Sequence, residues 1–370
     1  MPTSQIRAIM NLAWATPGTI HLEVGEPNFE TPPHITEAAH RAASGGRTHY
    51  TPNGGIPPLR DALAAKVTAR NGYPAGPDQI VVAAGGVEAL HGVFHTLTDP
   101  GDEILIPDPS WTNFRMIAHL VGAPAVAYPL RPETGFVPRI EDLEPLVTER
   151  TRILLLNSPS NPVGSVIDRA TLRDLVDFAH SHDLWIISDE CYDELDFSGR
   201  FCSTMAAAPS DRVIGVYSFS KVYAMTGWRV GYAVLPPEAA ALMAELQEAI
   251  ISCVNEPAQW AALAALEGPQ SGIATMRDEY RSRRDIALET LAAHGVRPFR
   301  PDGAFYLWID VGTSAMAFCE RLLEEEKVAV APGSAFGPSG EHFIRMSLAS
   351  SPEDLRTGCD RLGRFLARHH

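Results

Sequence analysis

The sequence has no apolar run long enough to cross a bilayer, and its opening residues, M-P-T-S-Q-I-R-A-I-M, lack the long apolar segment of a secretory signal. The expectation is a cytoplasmic protein with no membrane partner. Positive charge is in deficit. Thirty Lys and Arg against 45 Asp and Glu leave a net charge of −15, which argues against nucleic acid or an anionic membrane surface as a partner. An anionic ligand would have to be met by local cations. Cysteine is sparse: the five present (Cys191, Cys202, Cys253, Cys319, Cys359) are scattered, form no C-x-x-C pair and are odd in number. That fits a reducing compartment better than a disulfide framework or a zinc site. Neither G-x-G-x-x-G nor a Walker loop occurs, and there is no internal repeat or low-complexity segment.

What is present is a 370-residue chain with 45% hydrophobic and 20% charged residues, the balance of a globular protein too long for one ordinary core. From Ile80 onward, short apolar runs alternate with amphipathic stretches. Candidate strands at 80–84, 103–106, 152–156, 184–188, 213–217 and 230–235 are interleaved with candidate helices at 86–97, 112–121 and 168–182. Continuous apolar strands alternating with helices predict an α/β fold with a mainly parallel sheet covered on both faces, and such sheets bind ligands at the carboxyl ends of their strands. Further helices are expected at 6–15, 34–44 and 57–70, residues 237–294 read as mostly helical, and 296–370 mixes strands at 304–309 and 343–347 with helices at 313–326 and 351–368, a smaller α+β unit.

The stretch Ser218–Tyr232, S-F-S-K-V-Y-A-M-T-G-W-R-V-G-Y, carries Lys221 among apolar neighbours and Arg229 eight positions later. A desolvated lysine loses proton affinity and becomes a usable amine nucleophile, although a snorkelling lysine on a half-buried turn has the same local composition. Asp189 ends the buried run L-W-I-I-S-D and needs a partner or a cap. Asn157–Gly164, N-S-P-S-N-P-V-G, follows another buried run and reads equally as loop punctuation. A-G-G-V-E-A-L at 84–90 ends a strand and opens a helix, offering backbone N–H groups to an anion. Trp111 is either core packing or a stacking face. His91 and His95, at i and i+4, have no third ligand nearby in sequence and are read as helix-face residues, so no metal is expected. An imine-forming amine, a buried carboxylate, an anion cup and an aromatic face are together what pyridoxal 5′-phosphate requires.

On these motifs the chain resembles the class I/II, aspartate-aminotransferase-like pyridoxal-phosphate enzymes of fold type I, with similarity of pattern from Leu22 to Leu348. The resemblance implies a three-layer α-β-α large domain over 32–284 and a smaller α+β domain built from both chain termini, 1–31 with 285–370. It implies that Lys221 bonds the cofactor and is the proton-transfer base, that Asp189 faces the pyridine nitrogen, and that Tyr192 and Asn161 hydrogen-bond the phenolic oxygen. Ser218, Arg229, Gly86 and Val87 would hold the phosphate, Trp111 would stack on the ring, and Tyr50 would reach the phosphate of a neighbouring subunit, hence a homodimer with shared sites. Gly25, Asn161 and Arg345 would take the substrate carboxylate; taken alone, Arg345 reads as an ordinary ion-pair residue. The implied activity is ping-pong transfer of an amino group from an L-amino acid to a 2-oxo acid. Relatives specific for dicarboxylates carry cations where this chain has Val87 and, near its V-N-E-P loop, Ile250; a neutral or apolar donor is therefore favoured, unless Arg115 or Arg300 supplies the charge. The same motifs serve a β-eliminating carbon–sulfur lyase and decarboxylating, cyclising or oxygen-using relatives. A non-catalytic regulatory module is the remote alternative; it predicts loss of Lys221 or Asp189 or an attached DNA-binding domain, and the chain is expected to start at the family's own N-terminal segment.

Overall fold

The computed structural model describes residues 5–369. Its centre is a seven-stranded sheet made of β1 (Ile80–Ala83), β2 (Glu103–Asp108), β3 (Ala125–Pro129), β4 (Thr151–Asn157), β5 (Trp185–Asp189), β6 (Val213–Ser218) and β7 (Gly231–Val234). The spatial order is β1-β7-β6-β5-β4-β2-β3. β7 pairs antiparallel with both of its neighbours, and the remaining pairs are parallel. Alternate residues of one strand go to opposite sides: Ile153 and Leu155 join the core with Val93 and Phe94, while Leu154 and Leu156 join the core with Leu172 and Leu175. Burial on both faces is why these strands read as unbroken apolar runs. β3 was not foreseen, because it lies at the sheet edge with Ala125 and Ala127 exposed and lacks that signal. The long helical region is three helices, Pro237–Ile250, Glu256–Glu267 and Ser271–Ala293. The first break places Ser252 at φ 59° and the Asn255 side chain as acceptor of the Ala258 N–H at 3.0 Å, a cap that starts the second helix.

A second, three-stranded antiparallel sheet is formed by β8 (Tyr306–Asp310), β9 (Ala331–Pro332) and β10 (Phe343–Ser347), with β10 in the middle. Its core contains Phe305, Leu307, Leu355 and Phe365 together with Ile9, Ala13 and Leu22 from the other end of the chain. The first helix, α1 (Gln5–Trp14), packs here, and Ile20–His21 pairs in parallel with Val328–Ala329. No helix among the described residues is long and apolar enough to cross a membrane.

Candidate active site

The carboxyl ends of β1, β2, β4, β5 and β6 open on one cavity of about 560 Å³. β1 runs into Gly85, which has φ +87° and caps the twelve-residue helix α2 (Gly86–Leu97). A Cβ on Gly85 would stand 2.4 Å from Nη2 of Arg229, so the glycine both turns the chain and lets the guanidinium approach. Arg229 sits before β7 in a left-handed conformation (φ 54°) and donates from Nη1 to the Thr226 carbonyl at 2.8 Å. Ser218, at the end of β6, accepts the Ser220 N–H at 3.1 Å. Gly86, Val87, Ser218 and Arg229 thus share one wall, with the positive end of α2 directed at it.

Opposite, β5 delivers Asp189, which is 3% exposed. The Cys191 N–H donates to its Oδ1 at 3.1 Å, and burial pushes its carboxyl up to about 6. Asn157, at the end of β4, donates from Nδ2 to the Asp189 carbonyl at 3.1 Å and accepts the Asn161 N–H at 2.8 Å, so one side chain pins both strand ends. Asn161 Oδ1 in turn accepts from Nη1 of Arg345 at 3.1 Å. Arg345 is buried; it donates from Nη2 to the Glu23 carbonyl at 2.8 Å, lies 4.4 Å from the Tyr306 ring centroid and 4.7 Å from that of Phe336, and leaves its buried Nε unpartnered. Lys221 donates from Nζ to the Gly25 carbonyl at 2.5 Å. Burial lowers its pKa to about 8. Trp111 also lines the cavity, edge-on to Phe114.

The structure therefore brings Gly25, Gly86, Val87, Trp111, Asn161, Asp189, Tyr192, Ser218, Lys221, Arg229 and Arg345 around one space. Tyr50 is not in that wall; it is 90% exposed and borders a separate groove with His49, Cys253 and Glu256. His91 and His95 stack with ring centroids 6.0 Å apart on α2, outside the cavity. Sequence reasoning missed Asn157 as a brace, Tyr306 behind Tyr192, and the α1 residues Ile6, Arg7, Met10 and Trp14, which border the same cavity. Asn157 stood in the quoted N-S-P-S-N-P-V-G run, but nothing in the sequence shows which carbonyl its amide reaches. Ile6, Met10 and Trp14 recur every four residues, a spacing that marks a helix face without saying what the face meets.

The donor set fits the group the motifs imply. Asp189 is a buried carboxylate with no cation of this chain against it, the arrangement a protonated ring nitrogen would complete. The amine of Lys221, the glycine–arginine cradle and the Trp111 face supply the remaining contacts.

Comparison with known proteins agrees with this arrangement. A family model described as aminotransferase class I and II matches residues 17–362. Aspartate/prephenate aminotransferase of Thermus thermophilus is 40% identical, covering 94% of this chain and 91% of its own length, and arginine–pyruvate transaminase of Pseudomonas aeruginosa is 41% identical, covering 92% and 88%. The crystal structure of aspartate aminotransferase from Thermotoga maritima superposes with a TM-score of 0.95 at 38% identity, covering 99% of this chain and 97% of that one.

Proposed function

The chain belongs to the class I and II aminotransferase family, and from that premise we propose that it moves the amino group of a neutral or apolar L-amino acid to a 2-oxo acid, the first product leaving before the second substrate binds. Its cofactor is pyridoxal 5′-phosphate. When bound, the cofactor supplies an aldehyde for exchange of amines and a protonated ring that takes up electrons from the substrate. In this reading Asp189 keeps the ring nitrogen protonated, Tyr192 and Asn161 donate hydrogen bonds to the phenolic oxygen, and Ser218, Arg229 and the backbone of Gly86 and Val87 hold the phosphate. Trp111 covers one ring face. Arg345 and Gly25 fix the substrate carboxylate, and Nζ of Lys221 takes the Cα proton. Residues 32–284 form the cofactor domain, while 1–31 with 285–370 bring Gly25 and Arg345 to it. Tyr50 serves the site of a second copy in a homodimer.

The observation that carries the reading is the depressed amine of Lys221 sharing one cavity with the uncompensated carboxylate of Asp189. The similar proteins are named for aspartate, arginine and aromatic amino acids, so the preferred donor has to be read from this chain's own cavity. Val87 and the α1 stripe of Ile6, Met10 and Trp14 give it an apolar border. Arg115 is 3.4 Å from Asp108 and Arg300 bonds Asp285 at 2.8 Å; neither lines the cavity, and nor does Ile250. Arg7 does line it, with its guanidinium 5.9 Å from the Trp14 ring centroid. The test is a set of specificity constants. Leucine, methionine and phenylalanine are expected to exceed aspartate; aspartate well above all three would overturn the apolar preference and assign Arg7 to the distal carboxylate.

A further inference from the structure

Tyr306 has no role in the readings above, yet three contacts converge on it. Its hydroxyl lies 2.9 Å from the hydroxyl of Tyr192, and both side chains are buried. Its ring lies under the Arg345 guanidinium at 4.4 Å. Its hydroxyl also stands 2.6 Å from where a Cβ on residue 25 would be, so glycine at that position leaves the phenol its place. The same Gly25 carbonyl accepts from Lys221. One phenol thus touches the groups assigned to the phenolic oxygen of the cofactor, to the substrate carboxylate and to the reactive amine.

Hydrogen-bond direction decides what this contact does. A tyrosine hydroxyl has one proton to give. If Tyr192 spends its proton on the cofactor oxygen, the bond between the two tyrosines has to be made by Tyr306 donating. A cation over the Tyr306 ring favours the phenolate side of its equilibrium and so strengthens it as a donor. Burial opposes this by raising the Tyr306 pKa, while the nearby Arg345 charge lowers it. In a low-dielectric pocket such chained hydrogen bonds polarise one another.

We propose that Tyr306 is a positioning residue that donates to the Tyr192 hydroxyl and relays the charge state of Arg345 to the cofactor's phenolic edge. The relay rests on the Tyr192 assignment made above. It runs beside the direct Arg345–Asn161 bond of 3.1 Å and is separable from it by mutation. A substrate carboxylate bound to Arg345 neutralises the cation, weakens Tyr306 as a donor, and so raises proton affinity at that edge of the cofactor when substrate arrives.

The test follows the visible absorbance of the bound cofactor against pH in the holoenzyme, with no amino acid present. Removing a donor from the phenolic edge strengthens proton binding there, so Tyr306→Phe is expected to raise the pH midpoint by about half a unit to one unit, the size of one net hydrogen bond. Tyr192→Phe should raise it further, and the double variant should match Tyr192→Phe alone, because the relay passes through that hydroxyl. An unchanged midpoint in Tyr306→Phe, or shifts that add in the double variant, would overturn the proposal. Should Tyr306→Phe bind cofactor too weakly to titrate, the wild type decides. Saturating 4-methylpentanoate, a carboxylate with no amino group, must raise the midpoint in wild type and must raise it less in an Asn161→Ala background than in wild type without abolishing it; loss of the whole effect with Asn161 leaves Tyr306 no part. None of these readouts requires transamination, so a wrong amino donor leaves them standing.

Discussion

Lys221 and Asp189 are perturbed in opposite senses by the same cause, burial, and each perturbation has a measurable consequence. Moving an amine from 10.5 to about 8 raises its neutral fraction near pH 7 by roughly two orders of magnitude, which makes Lys221 usable as nucleophile and base. Lys221→Ala should lower the rate by at least about 10²–10⁴-fold and leave no borohydride-reducible link between chain and cofactor, as read by mass spectrometry. A reducible lysine adduct in that variant would contradict the assignment. For Asp189 the folded value of about 6 lies above the ordinary 3.8, so in the apoprotein the ionised carboxylate opposes folding at neutral pH. That penalty is absent below about pH 4, develops as pH rises toward 6 and is complete above it. Asp189→Asn is therefore expected to stabilise the apoprotein at pH 8 by on the order of 3 kcal/mol, with the gain fading toward pH 4, while weakening cofactor binding. Denaturant unfolding of the two apoproteins across that range checks the sign.

Elements carry a different kind of information. The strand ends that bear Asp189, Asn161 and Ser218 were legible because strands buried on both faces announce themselves as apolar runs, and the residue after the run has to sit at a sheet end. The edge strand β3, with Ala125 and Ala127 exposed, has no such signature. Tyr306 and α1 were illegible for another reason: their roles come from packing of distant chain segments, Tyr306 lying 114 residues from Tyr192. The position of α1 beside the cavity yields its own prediction. Trp14 is 61% exposed at the cavity border, and Trp14→Ala should cut the specificity constant for phenylalanine about tenfold while leaving that for alanine nearly unchanged. Equal losses for both substrates would show that α1 acts on folding or cofactor binding instead. At the head of α2, Gly85→Ala would place a methyl group 2.4 Å from the Arg229 guanidinium in a left-handed turn. Cofactor dissociation measured by dialysis should weaken about tenfold or more, since a displaced arginine loses one charge-assisted phosphate contact.

Over the whole molecule, an excess of negative charge surrounds a cavity whose walls carry Lys221, Arg229 and Arg345. Those local cations meet the phosphate and the carboxylate that a net charge of −15 would otherwise repel. The exposed Tyr50, outside the cavity, fits an assembly in which one protomer completes the site of its partner. Sedimentation should give a dimer, and Tyr50→Phe should weaken cofactor binding without changing the sedimenting mass; a monomer with full cofactor affinity would exclude a shared site. The central claim is that this cavity takes an amino group from a neutral amino acid and keeps it until a 2-oxo acid arrives. The most direct measurement mixes holoenzyme with L-leucine in the absence of any 2-oxo acid. The account predicts one equivalent of 4-methyl-2-oxopentanoate per site, loss of the cofactor's visible band and no free ammonia. Continuous turnover with ammonia release, or no reaction with leucine where aspartate reacts, would contradict it.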